Sequence, residues 1–482
     1  MINLVGRAKE SKELLTIYNS GRSEFVAVYG RRRVGKTFLI DEVLTGKITF
    51  RHAGLSPIDE KNKSNSLSEQ LKHFYFSLVF QGMKKSHKPT SWLEAFFMLE
   101  TWLASKDDGS RQVVFLDELP WMDTPRSGFL TALEAFWNTW ACHRHNFMLV
   151  VAGSANSWIL DNLINNHGGL YGRVTHEIEL TPFALFECEK FFESRNIIMS
   201  RYDIVQSYMA LGGIPYYLAY FEKELSFAQN IDALFFDKKA KLKNEYDRLF
   251  SSIFANPEEM KKIVEFLNTR HSGYTRKDIS SGVGIPTSGS LSKMLNALIA
   301  SDFIEKYVPF GMGKRDEHYR LKDPFCIFYL KFIKQNGSGS GMLWATNLDS
   351  QNVVVWRGIS FENVCMNHIR QIKQALGIAG VSSEQSSWAL AGDDYFEGVQ
   401  IDLLISRKDN IVNLCEMKFY SDEFSVDKSY DRKIARRINV LLEKVSKKTA
   451  IHTTLVTTFG LKHNEYFGDF TNVITLDDLF KE

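Results

Sequence analysis

The chain is short of cysteine and of net charge, and each shortage closes off a class of protein. Cys142, Cys188, Cys326, Cys365 and Cys415 are scattered over 482 residues, and no two form a C-x-x-C pair. That spacing argues against a disulfide framework and predicts reduced, mostly buried thiols of a cytosolic protein. The formal net charge is only +2. No global basic field announces nucleic acid, so any such binding must come from local patches. No uninterrupted apolar run reaches about 18 residues, and the N-terminus lacks a signal-peptide pattern. The expectation is a cytoplasmic protein, neither secreted nor membrane-spanning. What is present is ordinary for a soluble protein, with 44% hydrophobic and 24% charged residues. The length is too great for one core, so three or four domains are expected.

One stretch organises the rest. Phe25 to Tyr29 is an apolar run that predicts a strand, and Thr37 to Val43 predicts a helix. Between them lies Gly30-x-x-x-x-Gly35-Lys36-Thr37, the phosphate-loop pattern. Glycines let the backbone fold tightly enough for its N–H groups to face phosphate oxygens, and the helix N-terminus adds partial positive charge. Gly30, Arg31, Arg32, Arg33, Val34 and Gly35 would form the cradle. Lys36 would reach the β- and γ-phosphates of ATP, and Thr37 would hold Mg2+ through its hydroxyl.

Such a loop needs a second, distant carboxylate. Val113-Val114-Phe115-Leu116 predicts a buried parallel strand, and it ends in Asp117-Glu118. Asp117 would sit beside the magnesium, and Glu118 would orient or deprotonate the attacking water. Phe147 to Ala152 predicts a third apolar strand, ending in Gly153-Ser154-Ala155-Asn156. Ser154 or Asn156 could touch the γ-phosphate or the water; a simple turn is the other reading. Arg173 follows Gly172 on a predicted loop, before a strand from Val174 to Leu180. It is either an arginine that stabilises transition-state charge or a plain surface residue.

Ala8 to Tyr18 reads as an amphipathic helix, residues 55–90 as a lysine-rich insertion with one helix, and Trp92 to Leu103 as another helix. Leu185 to Leu225 reads as helical, interrupted by Gly212-Gly213-Ile214-Pro215. A Gly-Gly turn with proline two residues on suits a sharp joint.

These motifs occur together and in order: Gly30–Thr37, Leu116-Asp117-Glu118-Leu119-Pro120-Trp121, Leu170-Tyr171-Gly172-Arg173, Leu180-Thr181-Pro182-Phe183 and Gly212-Gly213-Ile214-Pro215-Tyr216-Tyr217-Leu218. The first half of the chain thereby resembles the archaeal-type ATPase family, a branch near the AAA+ and STAND ATPases. The segment Leu4-Val5-Gly6-Arg7 resembles the start of such proteins, where it packs around adenine. The resemblance implies a P-loop parallel-sheet α/β core over 1–185 and a helical lid over 186–255. It also implies a winged helix and a C-terminal domain similar to PD-(D/E)XK nucleases.

The later residues can be read on their own. Met260 to Asn268, Thr275 to Ser281 and Ser288 to Ala300 predict three helices. Phe303 to Val308 and His318 to Leu321 predict a hairpin tipped by Lys314 and Arg315. Together they make a winged helix–turn–helix over 256–335. Its third helix could enter a DNA major groove, yet Lys293 is its one basic residue, and winged helices also serve as protein-interaction or packing modules. Gln335 to Gly341 is glycine- and serine-rich and predicts a flexible linker.

After it, over 342–482, acids stand in unusual places. Glu362 shares an apolar helix face with Cys365, Met366 and Ile369, within a predicted helix from Ile359 to Leu376. Asp402 lies inside a predicted strand from Val399 to Ile405. Glu416 and Lys418 share one face of a predicted strand from Ile411 to Phe419. A shared metal best explains such a set. Asp402 and Glu416 would bind magnesium, Glu362 would complete the shell or orient a water, and Lys418 would position the water or the scissile phosphate. The order Glu–Asp–Glu-x-Lys on helix, strand and strand resembles the PD-(D/E)XK core, an α/β restriction-endonuclease-like fold. No proline precedes the acid at Asp402; Ile401 stands there. A following helix, Asp427 to Lys448, carries Lys428, Arg432, Lys433, Arg436, Arg437, Lys444, Lys447 and Lys448. It could track a phosphate backbone or simply face solvent.

Two functions follow. One is an ATPase coupled to a magnesium-dependent DNA-binding or nuclease domain. The other is a STAND-like ATP-driven switch whose inert C-terminal domain binds a protein partner or a second copy.

Overall fold

The computed structural model describes residues 4–56, 66–154, 156–165, 168–335, 344–390 and 398–482. It falls into two compact units, Met1–Pro182 with Leu249–Ala255, and Phe183–Arg248 with Asn256–Glu482. No helix among the described residues is long and apolar enough to cross a membrane.

The first unit is built on a five-stranded parallel sheet. Its strands are β1 (Glu24–Gly30), β2 (Ile48–Ala53), β3 (Gln112–Asp117), β4 (Phe147–Gly153) and β5 (His176–Leu180), in the order β2-β3-β4-β1-β5. β1, β3 and β4 are buried along their whole length, as continuous apolar runs require when helices cover both faces. The helices Leu67–Phe80, Trp92–Ser105 and Phe129–Thr139 bring Phe74, Trp92, Phe96 and Phe136 into one aromatic core with Phe50 and Phe147. Two of these helices start at side-chain caps. Ser66 accepts from the Glu69 N–H in a capping box, and Ser91 accepts from the Glu94 N–H. The expected insertion therefore contains the helix Leu67–Phe80; residues 57–65 of it lie outside the described residues.

The order of strands decides what meets at the sheet edge. β4 lies between β1 and β3, so the ends of the phosphate-loop strand, the Ser154 strand and the Asp117 strand stand side by side. Gly30 is required there. It has φ 147°, and a Cβ on it would lie 2.1 Å from the Leu180 carbonyl oxygen on β5.

In the second unit the helical stretch from Leu185 is broken at the expected Gly212-Gly213 joint and once more before it. It runs Leu185–Ser194, then Arg201–Leu211, then the single turn Pro215–Leu218. The first break has a local cause the sequence reading passed over. Asn196 takes left-handed backbone at φ 56°, and Ser200 caps the next helix by accepting from the Asp203 N–H. At the second break Gly213, φ 65°, accepts through its carbonyl from the Phe183 N–H at 2.8 Å.

Three helices follow, Pro257–Leu267, Arg276–Val283 and Gly289–Ala300. The hairpin of β7 (Ile304–Tyr307) and β8 (His318–Leu321) gains an unexpected third strand, β6 (Tyr274–Thr275), in the order β6-β8-β7. Lys314 and Arg315 sit on the exposed turn between β7 and β8. The predicted linker falls largely on residues 336–343, which lie outside the described residues.

The remaining strands are β9 (Ser383–Leu390), β10 (Val399–Arg407), β11 (Ile411–Lys418), β12 (Ala450–Thr457) and β13 (Asn472–Ile474). They form a mixed sheet in the order β13-β12-β11-β10-β9. β9, β10 and β11 are antiparallel neighbours, while β11, β12 and β13 are parallel. The helix Lys428–Leu442 makes the crossover from β11 to β12, and its Val440 and Leu441 pack with Val412 and Leu414. The helix expected over Ile359 to Leu376 starts earlier and is interrupted, running Gln351–Asn367 and then Ile369–Ala375. His368 marks the break. Its Nδ1 lies 2.8 Å from the Val364 carbonyl, and its Nε2 accepts from the Leu185 N–H at 3.0 Å.

Candidate functional site

The loop after β1 alternates backbone handedness, with Arg33 at φ 73° and Gly35 at φ 94°. Such alternation makes a concave nest of N–H groups suited to anions. Lys36 opens the following helix and folds back under the loop. Its Nζ donates to the carbonyls of Gly30 at 2.8 Å and Arg31 at 3.1 Å. Burial pushes this ammonium down to about 8, with Arg32 acting in the same direction and Glu118 and Asp117 opposing. A buried cation inside a nest of donors calls for negative charge, which a triphosphate brings.

Across the sheet edge, the Thr37 hydroxyl donates to Asp117 Oδ2 at 2.8 Å. Burial, with Glu118 beside it, holds the Asp117 carboxyl above its usual range despite that hydrogen bond. A hydroxyl and a carboxylate oxygen in contact are the hard donors that magnesium takes, so these two residues fit that ion. Glu118 adopts left-handed backbone, φ 46°, which turns its side chain towards β4. There Ser154 engages both carboxylate oxygens, its N–H donating at 3.1 Å and its hydroxyl at 2.8 Å. Asn156 accepts from the Gly30 N–H at 3.0 Å. Of the two small polar candidates after β4, one therefore holds the acid and the other holds the loop. Arg173 is exposed on its turn, with its N–H on the Leu170 carbonyl at 3.1 Å.

Arg7 is a residue the sequence reading missed. Only 4% exposed, it donates to the carbonyls of Thr181 at 2.6 Å and Val34 at 3.3 Å. It ties the phosphate loop to the chain leaving β5. Its sequence signals are its place just before the first helix and its membership of the segment Leu4-Val5-Gly6-Arg7, which on their own assign it no contact with the phosphate loop.

In the second unit, Asp402 and Glu416 lie on neighbouring strands. Leu403 pairs with Cys415 and Leu404 with Leu414, so the same register carried one step puts Asp402 opposite Glu416. Towards β9, however, the register slips between Ile401 and Leu404. Asp402 and Leu403 together oppose a single residue, Ser387. Bulges of this kind re-aim side chains next to sites. Gln400 donates to Asp402 Oδ1 at 3.0 Å.

Glu416 is 1% exposed and heavily partnered. Tyr430 donates to its Oε2 at 2.7 Å, Arg437 donates to its Oε1, and Lys418 Nζ lies 3.5 Å away. Burial lowers the Arg437 guanidinium, but Glu416 outweighs it and the net direction is up. Sequence reading placed Arg437 on a basic helix. Here it turns inward, seven residues after Tyr430 and on the same helix face. Glu362, on Gln351–Asn367, receives His271 Nε2 at 3.0 Å. Burial, reinforced by the Asp402 charge, pushes Glu362 up to about 8.

These residues feel one another's charge, but as placed they do not fit a divalent ion. Among the described residues no group of three His, Cys, Asp or Glu could hold a metal, and a guanidinium already occupies Glu416. His271, Tyr430 and Arg437 are members of this cluster that sequence reasoning did not assign to it.

Residues 4–221 match the protein family described as an ATPase domain predominantly from Archaea. Over 338 residues the chain is 27% identical to the uncharacterized protein MJECL04 of Methanocaldococcus jannaschii, covering 69% of each. Its fold is similar to that of the Walker-type ATPase paby2304 of Pyrococcus abyssi, with TM-score 0.51 and 18% identity over 68% of this chain and 96% of that one. The ORC2 protein of Aeropyrum pernix, solved with ADPNP and ADP, matches at TM-score 0.42 and 14% identity over 69% and 95%. The α/β fold of the first unit, with its five-stranded parallel sheet, is similar to that of P-loop ATPase cores.

The Glu362 carboxyl gives a pH test. Its folded value is raised from 4.5 to about 8. The folded chain keeps this proton where the unfolded chain has lost it. Stability from this group is present below 4.5 and is lost as pH rises towards about 8. Glu362→Gln cannot ionise, so its melting temperature should fall less than that of wild type across this window. Parallel melting profiles in the two proteins would show that Glu362 is not held protonated.

Proposed function

We propose that the chain binds ATP with magnesium at Gly30–Thr37, hydrolyses it, and couples that cycle to a DNA-binding, nuclease-like C-terminal half. The observation that carries the first part is the pair of contacts around Lys36, Thr37 with Asp117 and Ser154 with Glu118. In this reading the loop from Gly30 to Gly35 offers backbone N–H groups to the phosphates, and Lys36 supplies their counter-charge. Thr37 and Asp117 would hold magnesium, which would supply counter-charge to the β- and γ-phosphates. Glu118 accepts the proton of the attacking water, which requires it to exchange a hydrogen bond from Ser154 for one from the water. Ser154, so released, can donate to the γ-phosphate. Arg173 is the exposed cation assigned to transition-state charge.

The second part rests on residue order and on local charge. The parts are the ATPase core over 1–185, a helical lid over 186–255, a winged helix over 256–335 and a nuclease-like domain over 342–482. Lys314 and Arg315 on the hairpin tip suit phosphate contacts. Asp402 and Glu416, which do not fit the ion as placed, would hold magnesium only in a state where Arg437 has left Glu416, with Glu362 and Lys418 beside them. The contact between Arg437 and Glu416 also favours the second reading, an ATP-driven switch whose C-terminal domain is inert and binds a protein partner or another copy.

Three measurements separate these readings. Lys36→Ala removes a buried charge facing the phosphates, so ATP affinity should fall by at least about thirtyfold in calorimetry. Unchanged affinity in a folded variant would remove ATP from this loop. Glu118→Gln should keep ATP binding and slow hydrolysis by about 10²–10⁴-fold, because the amide cannot take a proton. A wild-type rate would place the base elsewhere. Lastly, plasmid and linear DNA are incubated with magnesium or manganese, with and without ATP. Nicking should be lost in Asp402→Asn and in Lys418→Ala. Nicking that survives both changes moves the chemistry elsewhere, and none by wild type in any condition leaves the switch.

A further inference from the structure

β9 is the outer strand of its sheet, and among the described residues β10 is its one neighbouring strand. Beside it runs a groove of about 710 Å3, whose facing wall is the chain from Glu305 to Met312. We propose that β9 takes an extended segment of a protein partner, added antiparallel over Ser383 to Gln385 and carrying lysine or arginine opposite Glu384. The proposal rests on the partner-binding reading above and names its surface.

The register shows which backbone groups are open. The Lys408 N–H donates to the Ser382 carbonyl at 3.0 Å. From there Ser383 faces Arg407, Glu384 faces Ser406, Gln385 faces Ile405 and Ser386 faces Leu404. Bonded and non-bonded pairs alternate in an antiparallel ladder. Ser382, Glu384 and Ser386 therefore use their backbone groups on β10, while Ser383 and Gln385 turn theirs outward. Ser387 is next in that outward series, and its carbonyl accepts from the Phe310 N–H at 2.9 Å. The facing wall thus already makes one rung on this edge. Among the described residues nothing meets the outward N–H and C=O of Ser383 and Gln385.

These outward groups recur at every second residue, about 6.8 Å apart. An extended polypeptide carries its own N–H and C=O at that spacing. Edge strands that stay unpaired are commonly guarded by proline or lysine, and β9, Ser383-Glu384-Gln385-Ser386-Ser387-Trp388-Ala389-Leu390, has neither. Charge then selects the partner. Along the groove Lys306 pairs with Glu317 at 3.0 Å, and Arg320 pairs with Glu305. Glu384 also lines it, exposed and without an ion pair among the described residues. In antiparallel addition over Ser383 and Gln385, the residue opposite Glu384 belongs to a non-bonded pair, whose side chains lie closest. A cation there is favourable and a second carboxylate unfavourable. A second copy that paired its β9 over the same two residues would set Glu384 against Glu384, so a different segment is the better occupant.

The test uses the full chain. Proline is tolerated at an edge position whose N–H faces out, and not where the N–H is bonded within the sheet. Gln385→Pro should therefore keep the wild-type melting temperature, and Ser386→Pro should lower it. A phage library of random linear peptides of about seven residues is selected in parallel on wild type and on Gln385→Pro. Wild type should enrich lysine or arginine flanked by β-branched residues. A synthetic enriched peptide, read by fluorescence anisotropy, should bind Gln385→Pro at least about tenfold more weakly. Glu384→Lys should weaken it too, and glutamate in place of the peptide's cation should restore binding. Equal melting losses in the two proline variants would turn the Gln385 N–H towards β10 and overturn the proposal. So would a selection no richer on wild type than on Gln385→Pro. A dimer in sedimentation that Gln385→Pro dissolves would make the occupant a second copy and overturn it as well. Peptide binding by a chain that also nicks DNA keeps this edge and removes the inert-domain reading. A chain that neither nicks nor binds peptide loses this edge and leaves the switch to another surface.

Discussion

The first unit depends on a buried charge. Lys36 sits under its own loop, and an ammonium in that position needs anions close by. Asp117 and Glu118 provide them, but they lie on another strand, far along the chain. A parallel sheet brings them near because all its strands end at the same edge. With β4 between β1 and β3, a third strand end, Ser154, arrives beside Glu118. Close packing of the backbone at Gly30 against Leu180 then fixes the other side of the loop. Sheet order, loop conformation and the choice of small residues at strand ends thus answer one electrostatic requirement.

The second unit meets the same kind of requirement differently. Glu416 is buried beside Asp402, and two carboxylates on neighbouring strands repel. Here the compensation is internal. Arg437, Lys418 and Tyr430 surround Glu416, while Glu362 holds its proton to higher pH. The crossover helix Lys428–Leu442 is therefore more than a connector between β11 and β12. One face contributes Val440 and Leu441 to the core, and Tyr430 and Arg437 on that side reach the acids.

What could be read in the sequence was local or periodic. The phosphate loop has fixed spacing, so Gly30 to Thr37 stands out, and apolar runs gave away β1, β3 and β4, while β2 at Ile48–Ala53 went unread. Asp117 follows from the end of such a run. Alternation placed Glu416 and Lys418 on one face, and in the structure their charged atoms are 3.5 Å apart. What could not be read depends on distant chain. Arg7 acts on Thr181, 174 positions away. The breaks at Asn196 and His368 interrupt patterns that looked continuous, because a left-handed residue and a buried imidazole leave the apolar periodicity intact. Arg437 was visible only as one basic residue among many on its helix. The direction it points is set by the carboxylate it meets, which sequence spacing does not encode.

The bulge at Asp402 has a consequence for how this strand can change. Side chains alternate along a strand with a period of two, so an extra residue reverses the phase. β10 is in effect two half-strands in opposite phase, spliced at the carboxylate. Val399 and Ile401 are buried before the splice, and Leu403, Leu404 and Ile405 are all buried after it. Adding or removing one residue in the first half would send its apolar set to the wrong face, and in the second half would mismatch side chains packed on both faces. Over evolutionary time this strand is open to exchange of one side chain for another but closed to insertion and deletion. The position of the acid in the chain is therefore held by the geometry of its neighbours, whatever chemistry it serves.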